Sequence, residues 1–202
     1  DLTRADFSQA ALTGALLREA NLTGAVLAGA VIESGDFSGA VVNGLNLAGT
    51  RILQTDFESV DFTGVIIEQT EWQLSNLKGS NLSGMRLAGC SFADCDLTGA
   101  NLAGADLFGG NLLQAAFAGA DISRARFAGA NCRAANFTGA TAVMADFTRA
   151  DLRFAQFSKA LLRDAVFAAA RMDRILMDRA DCTGAIFCEV GAPYSDFSHA
   201  CL

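Results

Sequence analysis

The sequence predicts an all-β solenoid with four sides, and three observations support that fold class. The chain divides into five-residue blocks from Asp1 to its end without insertion or deletion, and the second residue of all 41 blocks is apolar. Asp or Asn begins 20 of the blocks, and 17 of the 20 glycines take the fourth position. A period of five is neither the 3.6 residues of a helix nor the 2.0 of a strand. Each block therefore indicates one side of a coiled backbone.

Each position of a block has its own physical role. The second residue, mostly Leu or Phe, is expected to point inward beside a small fifth residue, usually Ala. Gly at the fourth position supplies the positive φ that a type II turn needs at its third residue. Asp or Asn at the first position is expected to bond neighbouring backbone groups, as short polar side chains do in turns.

The spacing of the phenylalanines indicates how many blocks complete one coil. Six pairs of inward Phe are 20 residues apart, as in the series Phe127, Phe147, Phe167 and Phe187, and none are 15 apart. A spacing of 10 is equally frequent, but a two-sided coil would leave no room for a core. We therefore expect four faces per coil. We number them first to fourth, for blocks that begin at residues 1, 6, 11 and 16 of each coil.

The blocks DLTGA and NLAGA, at residues 96–105, resemble the pentapeptide-repeat family, whose pattern is A-(D/N)-L-x-x. The resemblance covers the whole chain and implies a right-handed quadrilateral β-helix of about ten coils, each made of four pentapeptides. At a strand spacing of ~4.8 Å, ten coils would form a rod roughly 48 Å long. We expect residues 1–202 to form a single such domain and to be a fragment of a longer chain. The chain begins without Met, and neither end has an obvious cap.

One segment departs from the repeat at the fifth position. From Leu45 to Cys95 no fifth residue is Ala, and the large Trp72 takes an inward site in this segment. Alternative packing in a wider or distorted coil is the simpler interpretation, and a bulge that binds a partner is the other.

The third face departs from the repeat in a different way. Its exposed third and fourth positions include only one Gly, against 16 at the equivalent site of the other faces, so its corners are expected to use a different turn. Exposed apolar groups beside arginines are typical of protein interfaces, although single exposed apolar residues are also normal. The candidate partner-binding residues are Leu53, Leu74, Leu113, Arg133, Arg153, Phe154 and Arg174.

Charge is unevenly distributed along the chain, whose net charge is −7. Residues 1–101 contain 12 acids and 5 bases, whereas residues 102–202 contain 10 of each. The acidic pI of about 4.6 and the inward aromatic residues argue against direct nucleic-acid binding. The longest uncharged stretch has 14 residues, for example Phe37–Thr50, which is shorter than the ~18 that a membrane span needs.

Nothing in the sequence indicates an enzyme, a metal site or a cofactor. The six cysteines lack metal-like spacing and are interpreted as small fillers in a reducing, cytoplasmic compartment, with a secreted or exported parent chain as the alternative. A disulfide between Cys188 and Cys201 stays open. His199, the only histidine, is expected at the surface without a nucleophile beside it.

Two functions follow from these observations. The first is a rigid, non-enzymatic scaffold that presents a flat face to a protein partner, with oligomerisation through the ends or faces of the rod left open. The second is implied by the resemblance, since members that confer quinolone resistance are acidic rods that mimic DNA and bind DNA gyrase. The basic stretch from Arg124 to Arg179 does not suit a DNA mimic.

Overall fold

The computed structural model describes residues 1–201 and shows a parallel β-solenoid with four sides. Backbone bridges join each residue to the one 20 positions later, from Asp6↔Val26 to Asp181↔Cys201. In a regular coil the four bridges fall at the first positions of the four successive blocks. The four-sided coil predicted from the spacing of the phenylalanines is therefore confirmed.

Full strands occur only on the third face, in the first half of the rod. They form one parallel sheet in the order of the chain, paired in register 20 residues apart. The strands are β1 (Ala11–Thr13), β2 (Val31–Glu33), β3 (Arg51–Leu53), β4 (Glu71–Gln73) and β5 (Ser91–Ala93). This ladder covers four coil steps and is shorter than the ten coils that the repeat predicts. Elsewhere a turn follows the bridging residue so closely that each face contributes single bridges instead of strands.

The interior of the rod is a continuous apolar shaft lined by the second and fifth residues of the blocks. Two columns of phenylalanine face each other across it, from the second and fourth faces. Rings one coil apart in a column stack, as Phe127 and Phe147 do at 4.8 Å between centroids and 14° between planes. Rings on opposite faces meet edge to face, as Phe117 and Phe127 do at 5.9 Å and 90°. The spacings of 20 and 10 thus have different structural causes.

The corners are regular, and the fourth residue has a positive φ whether or not it is glycine. All 17 glycines at this position have φ between 60° and 79°. On the third face, where Gly is almost lacking, Ser34, Leu74 and Phe154 adopt φ values of 53°, 52° and 64°. The expectation that these corners abandon the left-handed residue is therefore wrong. The repeat imposes the conformation even where a side chain makes it unfavourable.

The third face does differ in how its turns are closed. At a regular corner the fifth amide donates to the carbonyl of the second residue, as from Ala25 to Leu22 at 2.9 Å. Within residues 1–80 this bond is missing only at residues 15, 35, 55 and 75, and on the third face it returns at Cys95 at 3.2 Å. The first four third-face corners are therefore more open, because strands β1 to β4 run up to them in extended backbone.

The segment without alanine at the fifth position contains two breaks in the ladder. Within residues 1–201 no bridge joins Val41 to Asp61 or Ile66 to Arg86, although the coils before and after are bridged. A cleft of about 310 Å³ lies at the second break, lined by residues 63–68 and 83–86. Trp72 is fully buried and keeps its strand in register. The distortion predicted for this segment thus opens a seam between coils on the second face.

Candidate functional site

The third face places all seven candidate residues on one side of the rod, between the third and ninth coils. Leu74, Arg133, Phe154 and Arg174 are exposed. Leu53, Leu113 and Arg153 are half-buried, because each takes a third position, where the side chain leans on its neighbours. The side chains of Leu53, Leu74 and Leu113 share the face with the arginines without a recorded contact to them.

The structure brings four residues of this face into one stack, which we call the arginine–aromatic column: Arg133, Phe154, Arg174 and Tyr194. The guanidinium carbons of Arg133 and Arg174 lie 5.4 and 5.6 Å from the centroid of the Phe154 ring. Arg174 also lies 5.8 Å from the centroid of Tyr194. These distances lie within the ~6 Å over which a cation is attracted to an aromatic face.

Tyr194 is the member of the column that sequence reasoning missed. Its signal was available, since Phe154, Arg174 and Tyr194 occupy the fourth position of three successive third-face blocks. A residue in left-handed backbone on adjacent coils projects from the same corner, so such residues stack when both are long. Tyr194 is 87% exposed, and its ring is therefore available to a partner.

Arg153 takes no part in the column, because it is bound to the chain's own Asp151. Its Nε lies 2.8 Å from one carboxylate oxygen of Asp151 and its Nη2 lies 2.5 Å from the other. This hydrogen bonding by Arg153 lowers the pKa of Asp151. Arg171 adds a longer contact of 3.9 Å to the same carboxylate. The charge of Arg153 is largely satisfied within the face.

Arg133 and Arg174, in contrast, make none of the ion pairs found in residues 1–201. Their guanidinium groups are held beside aromatic rings and keep their hydrogen-bond donors free. Arginine presents five N–H donors in a planar fork that suits carboxylates. The column therefore offers apolar area and unpaired positive charge at one place.

Acidic side chains on the other faces serve mainly to hold the turns. Asp36 is representative, since its Oδ1 accepts hydrogen bonds from the backbone amide and hydroxyl of Ser38 at 3.0 and 2.6 Å. These bonds, with a further one from Arg18 at 2.8 Å, lower the pKa of Asp36 to about 2. The role predicted for first-position Asp and Asn is confirmed at this and many other corners.

The chemistry available to the remaining titratable groups is limited. Burial raises the pKa of the Cys95 and Cys182 thiols to about 12 and about 11, so neither is a thiolate at neutral pH. Cys188 and Cys201 are exposed free thiols and form no disulfide in this structure. The ring Nδ1 of His199 lies 3.1 Å from Asp178 at the surface. Residues 1–201 contain no group of three His, Cys, Asp or Glu side chains arranged to hold a metal ion. The same residues include no helix with the length and apolar character to cross a membrane.

Solved structures with the same fold include two that align with most of this chain. HetL, a pentapeptide repeat protein involved in heterocyst differentiation regulation in the cyanobacterium Nostoc sp. strain PCC 7120, superposes with a TM-score of 0.54 at 22% identity, over 93% of this chain and 89% of HetL. A trypsin-treated variant of QnrB1, a plasmid-mediated fluoroquinolone resistance protein, superposes with a TM-score of 0.58 at 18% identity, over 90% of this chain and 88% of QnrB1. No curated protein is significantly similar in sequence.

The sequence model of pentapeptide repeats matches eight copies in this chain, over residues 1–39, 75–114, 115–153 and 130–167. These ranges cover more than half of the chain. The unmatched residues 40–74 include Val41, Asp61 and Ile66 of the two breaks in the ladder and much of the segment without alanine at the fifth position. By repeat, coil and fold, the chain belongs to the family of pentapeptide repeat proteins.

Proposed function

We propose that this pentapeptide-repeat rod is a non-enzymatic scaffold whose third face docks a protein partner. The observation that carries the proposal is the position of Phe154, exposed to 39% and flanked by two arginines that have no acidic partner in the described chain. Aromatic residues and arginine are the types most enriched among residues that dominate binding energy. Leu53, Leu74 and Leu113 extend the apolar area along the same face, and Arg153 adds charge beside Phe154.

The chemistry of this face favours a partner with carboxylates around an apolar centre. A partner carboxylate can accept hydrogen bonds from Arg133 or Arg174 while its apolar groups cover the Phe154 ring. Desolvation of a cation–aromatic contact strengthens it, from ~0.5–1 kcal/mol when exposed to ~2 kcal/mol when covered. Binding would therefore strengthen contacts that the free protein already holds in place.

The test compares two double variants that change the net charge equally. Arg133→Glu with Arg174→Glu reverses the third face, and Arg4→Glu with Arg124→Glu reverses fourth-position arginines on the opposite, first face. Glu already occurs at third and fourth positions elsewhere, for example Glu33 and Glu19, so the fold tolerates both changes. We expect a partner isolated with the unchanged protein and the first-face variant to lose binding to the third-face variant at equal thermal stability. Equal binding by both variants would reject the third face.

A second candidate, a DNA-mimicking rod that binds DNA gyrase, is favoured by one specific observation. The acidic excess is confined to residues 1–101, which contain 12 acids and 5 bases. The fold likeness to a fluoroquinolone resistance protein is compatible with this candidate and identifies no partner. Two acidic positions on the fourth face are offset by bases, through Arg18–Asp36 at 2.8 Å and Lys78–Asp96 at 3.1 Å.

Gyrase supercoiling assays separate the two candidates. A DNA mimic inhibits or protects the enzyme at micromolar protein, and replacement of Asp56 and Glu58 by Asn and Gln would weaken that effect. A third-face scaffold changes the supercoiling rate neither before nor after these replacements. Any gyrase effect that survives the Arg133→Glu/Arg174→Glu variant and is lost on neutralising the acids would favour the second candidate.

A further inference from the structure

The second face carries a row of alternating charges in four consecutive coils. Arg86, Asp106, Arg126 and Asp146 occupy the first positions, and bridges join each to the next. The inner two form an ion pair of 3.6 Å between Arg126 Nη1 and Asp106 Oδ2. Among the ion pairs of residues 1–201, none involves Arg86 or Asp146. The two ends of the row are thus charges without partners.

The order of these charges is complementary to itself when the direction of the rod is reversed. We propose that the second face binds the second face of another copy of this chain, with the two rods antiparallel. The two-fold axis lies in the interface, between the levels of Asp106 and Arg126. In this arrangement Arg86 of each copy faces Asp146 of the other, and Asp106 faces Arg126. A two-fold interface repeats every contact, so the row supplies four ion pairs between the copies.

The other charges of the face fall opposite small residues under the same symmetry. Glu68 meets Ala168, Arg149 meets Gly89, and Glu189 meets Gly49. Asp6 lies beyond the overlap. Ile66, which is exposed to 46%, meets Val166, so an apolar contact continues the row past its charged centre. No like charges are opposed at any level of the overlap.

The shape of the face fits a close approach of two copies. Beyond the first positions its central coils carry mostly Ala and Gly, namely Ala88, Gly89, Gly109, Ala128 and Gly129. The exception is Phe108, which is exposed to 47% beneath the guanidinium of Arg126, at 4.4 Å. The two-fold axis places Phe108 of each copy over Ala128 of the other. One protruding ring per copy thus lies on a flat surface of small residues.

The third face lacks this self-complementarity, and the rod has enough area for the dimer. First-position charges on the third face run Arg51, Glu71, Asp151 and Arg171, and reversal about their centre sets Arg against Arg. The rod exposes 8956 Å², so each of its four faces offers roughly 2,000 Å², where a standard interface needs ~800 Å² from each partner. Both third faces lie on the same side of the antiparallel dimer, where they remain free.

The test uses two single variants and their mixture, followed by sedimentation equilibrium over a range of protein concentrations. Arg86→Asp opposes two pairs of acids, and Asp146→Arg opposes two pairs of arginines. Like charges in an interface are strongly unfavourable, so we expect each variant alone to dimerise at least ~10-fold more weakly than the unchanged protein. An equimolar mixture restores opposite charges at every level and should recover the affinity. Recovery is specific to the antiparallel register, because only that register sets residue 86 against residue 146.

The matched control is Arg124→Asp, which makes the same change of net charge on the first face. It should dimerise as the unchanged protein does, and circular dichroism should give Arg86→Asp the same melting temperature, since Asp is the common residue at its position. A monomer at all concentrations would overturn the proposal. A dimer that Arg86→Asp does not weaken, or a mixture that does not recover, would also overturn it, because the copies would then meet through another surface.

Discussion

The rings of Phe137 and Phe157 lie one coil apart and stack at 4.6 Å between centroids, with 14° between their planes. Phe137 also stacks on Phe117 at 4.9 Å and meets Phe127 and Phe147 edge to face. Aromatic pairs in these geometries add ~0.5–1.5 kcal/mol each beyond the burial of their area. Phe137 therefore joins three successive coils to each other and to the opposite column.

Replacement of Phe137 by Ala should lower the free energy of unfolding by about 3–5 kcal/mol, the range for a buried aromatic residue. Phe187 is the control, since it stacks on Phe167 at 5.0 Å but lies in the partly exposed last coil. Urea unfolding followed by circular dichroism should give a smaller loss for Phe187→Ala. Equal losses would mean that stacking in the middle of the column adds nothing.

The second prediction concerns Trp72, which is packed against Phe57, Phe62 and Phe92 with centroids 5.0, 5.6 and 5.8 Å away. Its Nε1 is buried and has no hydrogen-bond partner. An unpaired buried donor costs ~1–3 kcal/mol, which offsets part of the packing that the indole provides. Trp72→Phe should therefore change the free energy of unfolding by less than about 1.5 kcal/mol, because it removes volume and the unpaired N–H together.

Trp72→Ala should cost about 3–5 kcal/mol, since it leaves the cavity without compensation. Urea titration of both variants by far-ultraviolet circular dichroism measures the difference. If Trp72→Phe were as damaging as Trp72→Ala, the indole N–H would have a partner that the structure does not show.

The third prediction is a loss of stability in acid. Hydrogen bonds from Ser38 and Arg18 lower the pKa of Asp36 to about 2, and serine or threonine donors likewise lower the pKa of Asp6, Asp61 and Asp181. A carboxyl with a lowered pKa in the folded state stabilises the fold above its unfolded pKa, near 3.8, and loses that contribution as the pH falls through the folded value. The melting temperature should therefore be level above about pH 5 and fall between about pH 4 and about pH 2.

Asp36→Asn is the control for this pH dependence. Asn at a first position accepts the same amide bond, as Asn21 does from Thr23 at 3.1 Å, but does not titrate. Its melting temperature should decline less over the same acid range than that of the unchanged protein. Parallel profiles for the two proteins would assign the acid sensitivity to other groups.

The fourth prediction concerns the thiols. Cys90, Cys95, Cys132 and Cys182 are buried, and burial raises the pKa of each. A thiol-specific disulfide reagent should therefore modify only Cys188 and Cys201 in the folded protein at mildly alkaline pH, and all six cysteines in guanidinium chloride. Mass spectrometry of the labelled protein counts the sites. Rapid labelling of a third thiol would mean that the shaft opens on the timescale of the reaction.

The regular part of this structure could be predicted from the sequence because one rule repeats. Each second residue has the same task in every block, so Leu22 and Leu152 are buried for the same reason. The number of faces follows from the stacking of like rings, as with Phe147 and Phe167 at 5.2 Å. A solenoid places residues that are a fixed number apart in contact, and composition alone then reveals its columns.

The irregular features required coordinates, since each depends on a balance between neighbours. The lack of Gly on the third face suggested another backbone conformation, yet Leu74 and Phe154 keep a positive φ because the coils above and below are bonded to theirs. The pairing of Arg153 with Asp151 left Arg133 and Arg174 in the candidate site with unpaired charges. The seam at Ile66 was foreshadowed by the larger fifth residues, but its position between two particular coils was not.

The pairing of every residue with the one 20 positions later makes the rod a ruler with a fixed graduation. Duplication of one complete coil, such as residues 101–120, would lengthen the molecule by about 4.8 Å and leave all columns in phase. Insertion of a single quintet between Leu53 and Phe154 would instead rotate everything downstream by a quarter turn, and the two residues would no longer point the same way. Length can thus change during evolution in whole graduations, while the azimuth of each side chain cannot drift.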